Sequence, residues 1–299
     1  MKSAFIAVVG RPSAGKSTFI NAVCGHKVSI VSDVPQTTRN KIRGIVHRPG
    51  CQFIFVDTPG FHHSDKKMNS YMKDVVIDVL EEIDLILYIV DGTKKPGIEE
   101  HDLLSALKPH IGRVFTAVNK ADAPGWETNS AVKNFIAENM PGGMIFPISA
   151  LEGGGIPELL DALEKAAPDG DPYYPEEYYT DQDPVFRASE IIREKAIAKA
   201  KQELPHSIYV EIADIEETEA PNNKGVMTER LWIRAFLTVE RESQKGILVG
   251  KGGKTIKSIR FEAERELRRI FPRIVDLDLQ VKVHKKWRTK DPLLKRLIQ

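Results

Sequence analysis

Cysteine is nearly absent: the 299 residues hold two, Cys24 and Cys51. Two thiols make no disulfide framework, so an apolar core must hold the fold, and packing roles in a reducing cytoplasm are expected for both. No apolar run approaches the ~18 residues that a membrane helix needs. The opening "MKSAFIAVVG" has only a short apolar stretch, which runs straight into a loop. A first strand is expected there, not a secretion signal. No internal repeat links the two halves. Net charge is also nearly missing, at +1, but that value is a cancellation. Residues 1–180 hold 18 Lys/Arg against 23 Asp/Glu, and residues 181–299 hold 25 against 19. Within 241–299 the count is 17 against 7, a net of +10. A basic end of this kind suits a polyanion or an anionic surface, the alternative being a solvated helix face.

What is present reads as two domains of a globular protein, with 41% hydrophobic and 28% charged residues. The first half alternates apolar runs with helical patterns. Strands are expected at Ala4–Val9, Phe53–Asp57, Leu85–Asp91, Arg113–Asn119 and Met144–Ser149, and helices at Tyr71–Glu82 and Ser130–Asn139. Near-continuous apolar strands separated by helices predict an α/β domain with a mostly parallel sheet over residues 1–170. The stretch "APDGDPYYPEEYYTDQDP" is rich in proline, acid and tyrosine, and a linker is expected over 171–184. Its tyrosines are expected to pack against a domain, with a partner as the alternative. Residues 185–299 follow the order α-β-β-α-α-β: a helix over Phe186–Glu203, strands at Ser207–Ile212 and Arg230–Val239, a short helix, a helix over Lys254–Phe271 and a strand over Val275–His284.

The first glycine-lysine loop comprises Gly10, Arg11, Pro12, Ser13, Ala14, Gly15, Lys16, Ser17 and Thr18. It matches G-x-x-x-x-G-K-S between a strand and a helix. Glycines let backbone N–H groups turn onto phosphates, Lys16 can reach the β- and γ-phosphates, and Ser17 can ligate Mg²⁺. Val56–Gly60, "VDTPG", ends the next expected strand. Asp57 suits Mg²⁺ through water, and Gly60, after Thr58 and Pro59, suits the γ-phosphate. In "NKAD", the Asp122 carboxylate can accept from guanine N1 and N2, the stem of Lys120 can cover the base, and Asn119 opens the motif. Ser149-Ala150 follows the last strand, where the Ala150 N–H can meet guanine O6. In this order the pieces resemble a GTPase of the translation-factor type. Pro35–Asn40, "PQTTRN", fits its first switch, with Thr38, or else Thr37, sensing Mg²⁺ and the γ-phosphate. The metal set is then Ser17, Thr38 and Asp57. No catalytic residue is assigned, because Phe61 stands where many GTPases place a water-orienting glutamine. Slow intrinsic hydrolysis is expected.

A second loop, "GILVGKGGKTIKSIR", lacks that spacing and lies between helical stretches. Gly250-Lys251-Gly252-Gly253 fits G-x-x-G, the backbone clamp of a KH domain on single-stranded nucleic acid. Lys251, Lys254 and Lys257 neutralise phosphates, while Ile256, Ile259, Ala263, Leu267 and Ile270 supply the apolar side of the helix. The element order is that of a type II KH domain. The alternative is a glycine-rich helix–helix turn.

A GTPase domain followed by this KH arrangement resembles the Era family of bacterial ribosome-assembly GTPases. The stretches that carry the resemblance are "GRPSAGKST", "PQTTR", "VDTPGFH", "NKAD", "FRASEIIREKAI" and "ERESQKGILVGKGGKTIK". The resemblance implies GTP and GDP with Mg²⁺ as cofactors. It implies GTP-regulated maturation of the small ribosomal subunit by a cytoplasmic monomer that binds the 3′ end of 16S rRNA. It also implies a location at the inner face of the cell membrane. For the basic tail "HKKWRTKDPLLKRLIQ", solvated packing on the KH domain is expected, with adsorption to anionic lipid as the alternative. One position departs from the family: its usual asparagine is Ser13 here. In related GTPases that asparagine helps hold potassium, and the shorter serine is expected to weaken potassium activation.

Overall fold

A computed structural model describes the chain except residues 33–39, 61–66, 141, 201–203, 222–224, 272 and 290–299. The described residues divide into two compact units, one over Met1–Asp181 and one beginning at Gln182.

The first unit is built on a six-stranded sheet ordered β2-β3-β1-β4-β5-β6. Its strands are β1 Lys2–Val9, β2 Ile42–Arg48, β3 Cys51–Asp57, β4 Leu85–Asp91, β5 Val114–Asn119 and β6 Ile145–Ile148. Only β2 runs antiparallel to its neighbour. Every residue of β3 and β4 is buried, as an apolar run covered on both faces must be. The helices are α1 Lys16–Cys24, α2 Lys67–Glu82, α3 Ile98–Leu107, α4 Ser130–Asn139 and α5 Ile156–Ala166. The register aligns Val8 with Asp57, Val9 with Tyr88, and Asn119 with both Asp91 and Ile148. The carboxyl ends of the parallel strands therefore share one edge. The chain leaves β1 for β3 on one side and β4 on the other, a switch point where ligands of such sheets bind.

Strand β2 was not expected, since "IRGIVHR" is interrupted by glycine and flanked by charge. A Cβ on Gly44 would lie 2.7 Å from Cys24 Sγ and 2.8 Å from Ile20 Cγ2, so the glycine lets α1 press on the strand. Pro49-Gly50, with Gly50 at φ +77°, turns the chain into β3. Both cysteines pack as small apolar groups. Burial raises the Cys24 thiol to about 12 and also raises that of Cys51.

The tyrosine-rich stretch up to Asp181 is strapped onto the first unit. The buried Gln52 side chain accepts from Tyr173 N at 2.7 Å and donates to Tyr174 O at 2.7 Å. Ile45 N donates to Tyr179 O at 3.0 Å, and Arg43 pairs with Asp181 at 2.7 Å. Tyr173 meets Phe5 edge-on at 4.7 Å and Tyr179 stacks on His26 at 4.2 Å.

The second unit runs α6 Pro184–Lys199, β7 Tyr209–Pro221, β8 Met227–Val239, α7 Glu242–Val249, α8 Lys254–Leu267 and β9 Ile274–Val283. Asp183 caps α6 by accepting from Val185 N and Phe186 N, with Pro184 in the first turn. The sheet is ordered β7-β8-β9, antiparallel in its first pair and parallel in its second. Ile191 and Ile192 of α6 and Ile259, Ala263 and Leu267 of α8 cover one face of it with Ile233, Leu237 and Val275. Strands β7 and β8 form a hairpin longer than their apolar patterns announce, with a bulge between Ile212 and Asp214.

Candidate functional site: a phosphate cradle and a separate glycine clamp

The first loop closes over Lys16, whose Nζ donates to Gly10 O and Arg11 O at 3.1 Å each. Burial lowers the Lys16 ammonium to about 8, although the Asp57 and Glu99 carboxylates pull it upward. Gly15 is obligatory: its φ is +99°, and a Cβ would lie 2.1 Å from Asn119 Nδ2. Ser13 also has positive φ, +61°. Serine enters that region less readily than asparagine or glycine, so Ser13 carries local backbone strain. Ser17 Oγ donates to Asp57 Oδ2 at 2.9 Å. These are adjacent hard oxygens, a donor set that fits Mg²⁺. Thr58 Oγ1 donates to Val8 O at 2.8 Å and pins the end of β3 to β1.

Asn119 ties two loops together. Its Nδ2 donates to Ala14 O at 2.8 Å and its Oδ1 accepts from Ala150 N at 2.9 Å. The Ala150 N–H, expected at guanine O6, is thus engaged with Asn119 in this structure. Ser149 Oγ donates to Asp122 Oδ1 at 2.6 Å and accepts from Glu152 N at 3.0 Å, which orients the exposed Asp122 carboxylate. Lys120, at φ +70°, donates to Asp91 Oδ2 at 2.7 Å. Burial would raise Asp91, but hydrogen bonds from Lys120 and Thr93 outweigh it and hold the carboxyl below its usual value. Arg11 lies 3.7 Å from Asp91 and 3.0 Å from Glu100. Asp91 and Thr93, at the end of β4, and Glu100, on α3, support the site and were not singled out in the sequence. "VDGT" gives no sign of them until β4 is set beside β5. Thr37, Thr38 and Phe61 lie outside the described residues.

In the second unit, Gly250–Gly253 joins α7 to α8. Gly250, Gly252 and Gly253 have φ of +71°, +61° and +73°. A Cβ on Gly250 would lie 2.2 Å from Thr255 Oγ1, whereas one on Gly252 or Gly253 meets nothing within 4 Å. Lys251, Lys254 and Lys257 are exposed. Ile259, Ala263 and Leu267 are buried as expected, and Ile256 and Ile270 pack partly against them.

A glycine-lysine loop at a sheet switch point, an NKAD carboxylate oriented by Ser149 and a G-x-x-G loop between helices define a P-loop GTPase carrying a type II KH domain. Residues 5–120 match the 50S ribosome-binding GTPase family, and residues 203–288 match the KH domain family. The chain is 47% identical over 299 residues to GTPase Era of Treponema denticola, covering 99% of each. It is 46% identical over 298 residues to GTPase Era of Borreliella burgdorferi, covering 100% of each. A crystal structure of Era with MgGDPNP and nucleotides 1506–1542 of 16S ribosomal RNA aligns at a TM-score of 0.91 and 35% identity, over 100% of this chain and 98% of that one. An Aquifex aeolicus Era variant bound to GDP·AlF4⁻ aligns at 0.90 and 35%, over 100% and 99%. The chain belongs to the Era family of GTPases. Among the described residues, no helix is long and apolar enough to cross a membrane.

Proposed function

We propose that this GTPase is a switch that holds the 3′ end of 16S rRNA in its KH domain and acts in assembly of the small ribosomal subunit in the cytoplasm. The observation that carries this reading is the Ser149-oriented Asp122 beside the Lys16–Ser17–Asp57 cradle, in one chain with the open Gly250–Gly253 clamp. The relative crystallised with MgGDPNP and 16S RNA supports it.

Gly10–Thr18 wraps the phosphates, with Lys16 turning from its two carbonyls to the β- and γ-oxygens. Ser17 and Asp57 hold Mg²⁺, which neutralises charge on the phosphates. Thr58, Pro59 and Gly60 carry the γ-phosphate sensor, with Thr38 or Thr37 as its counterpart. Asp122 selects guanine, Lys120 covers it, and Asn119 with Ala150 fixes the two loops. Hydrolysis is slow with Phe61 in the glutamine's place, and Ser13 weakens potassium activation. Release of the γ-phosphate frees the sensor segments and changes RNA retention.

The test is affinity for an RNA of nucleotides 1506–1542 in the two nucleotide states. GDPNP- and GDP-bound protein are expected to differ by at least about fivefold. Equal affinities would leave a constitutive RNA-binding protein with a structural nucleotide.

The pH dependence follows from Lys16. With its ammonium lowered to about 8 in the free protein, phosphates must raise it, and binding takes up a proton above that pH. GDP affinity is expected to be level up to neutrality and roughly fourfold weaker at pH 8.5 than at pH 7, before guanine itself loses a proton. An affinity unchanged at pH 8.5 in calorimetry would show that the Lys16 ammonium is not lowered in the free protein.

A further inference from the structure

We infer that the outward face of α8 is a second RNA-contact surface, on which Phe261 stacks against an unpaired base next to the stretch held by the Gly250–Gly253 clamp. This rests on the RNA-binding reading above and extends it.

Helix α8 buries Ile259, Ala263 and Leu267. Its three carboxylates are used sideways or inward. Glu262 pairs with Lys199 at 2.7 Å, and Glu266 lies 3.6 Å from Lys195, both partners being on α6. Glu264 accepts from Leu277 N of β9 at 3.1 Å. Lys254, Lys257, Phe261 and Arg265 stand outward at spacings of three, four and four residues, which is one face of a helix, with Arg260 exposed beside them and 3.9 Å from Glu264. Among the described residues, no carboxylate lies within 4.0 Å of the charged nitrogens of Lys254, Lys257 or Arg265. Phe261 is 65% exposed, more than any other phenylalanine, tyrosine or tryptophan among the described residues.

A solvated helix face explains the cations but not the phenylalanine. Water gains nothing from a bare ring that could have been a glutamate or lysine. The stripe begins at Lys254, directly after the clamp, and at 1.5 Å per residue Phe261 stands roughly 10 Å along it. Lone cations on either side of one flat ring, one helical turn away, match a nucleic-acid strand. Phosphates take the cations and a base takes the π-face. An anionic membrane fits less well, because adsorption needs a broad apolar face and that face of α8 is already spent on the core. Because every base has a π-face, Phe261 adds affinity without reading sequence.

The experiment uses the full chain and the 1506–1542 RNA. Phe261→Ala is expected to bind about tenfold more weakly, with an unchanged salt slope and melting temperature, and Phe261→Trp to bind as the parent does. Replacing both Lys257 and Arg265 by Gln is expected to flatten the slope of log affinity against log salt by roughly 1.4. Gly252→Asp serves as the reference. If it abolishes binding while Phe261→Ala binds normally, this inference falls and the clamp stands. If Gly252→Asp also binds normally, the RNA reading itself falls. If Phe261→Ala retains RNA affinity but no longer cosediments with phosphatidylglycerol vesicles that the parent binds, the face belongs to lipid and the inference is overturned.

Discussion

Asp122→Asn is expected to weaken GTP binding by about two to three orders of magnitude and to strengthen binding of xanthosine triphosphate. Guanine presents N1–H and N2–H side by side, and a carboxylate accepts both. Charge-assisted hydrogen bonds contribute about 1.5–3 kcal/mol each, so losing one of them and the charge on the other costs about 3–4 kcal/mol. Asparagine keeps one acceptor and turns a donor towards the other guanine donor, which adds repulsion to the loss. Xanthine carries a carbonyl in place of the 2-amino group, so the same amide suits it. The structure adds a graded control. Ser149 donates to Asp122 at 2.6 Å and is itself held by Glu152 N at 3.0 Å. Ser149→Ala leaves the charge but removes its orientation, and a loss of roughly fivefold is expected from one hydrogen bond. Titration with fluorescent GTP and xanthine analogues reads both variants. A guanine preference retained in Asp122→Asn would assign selection to another group.

Most of the motif-bearing edge was legible because its residues have few other uses. A buried parallel strand must be an apolar run, so β1, β3, β4 and β5 fall within a few residues of their patterns, and the short, mostly exposed edge strand β6 also lies within its expected range. Glycine and lysine at fixed spacing after such a run have one economical reading. Less legible were elements held by something other than apolar burial. Strand β2 depends on Gly44, whose missing side chain admits α1, and a glycine inside a pattern argues against a strand until the helix is in place. The distal part of β7, Asp214 to Glu219, is mostly acidic and follows a bulge, so the two-residue alternation is lost there. Its ladder with β8 supports it instead. Tyr173, Tyr174 and Tyr179 sit among prolines and acids that read as a connector, yet their backbone is sewn to Gln52 and Ile45. Within the site, the sequence places the Ala150 N–H at guanine O6 and gives Ser149 no partner. In the structure Ser149 orients Asp122 and Ala150 meets Asn119. Such contacts join residues 27 and 31 positions apart, and no local spacing encodes them.

Gly252→Asp is the second large effect, and the geometry makes it a cleaner probe than Gly250→Asp. Any side chain on Gly250 must displace Thr255, since its Cβ would fall 2.2 Å from Oγ1 and 3.0 Å from N. A loss of RNA binding in that variant could therefore arise from a rearranged start of α8. Gly252 has open space where a Cβ would go. Its φ of +61° charges a substitution about 1–2 kcal/mol of backbone strain, a cost that aspartate bears better than most residues. The fold is therefore expected to survive with a small drop in melting temperature. RNA binding is not. On the proposed reading, a carboxylate at the loop apex, next to exposed Lys251, would meet the phosphates that the bare backbone admits. It adds repulsion where lysine gave attraction. Affinity for the 1506–1542 RNA is expected to drop by at least about thirtyfold, more at low salt than at high, because the lost term is the screened one. GTP affinity is expected to stay as in the parent, since the cradle lies in the other compact unit. Gly252→Ala separates the causes: it carries the strain without the charge, so it should lose little RNA affinity. If alanine and aspartate weakened binding equally, backbone strain and not phosphate repulsion would explain the loss.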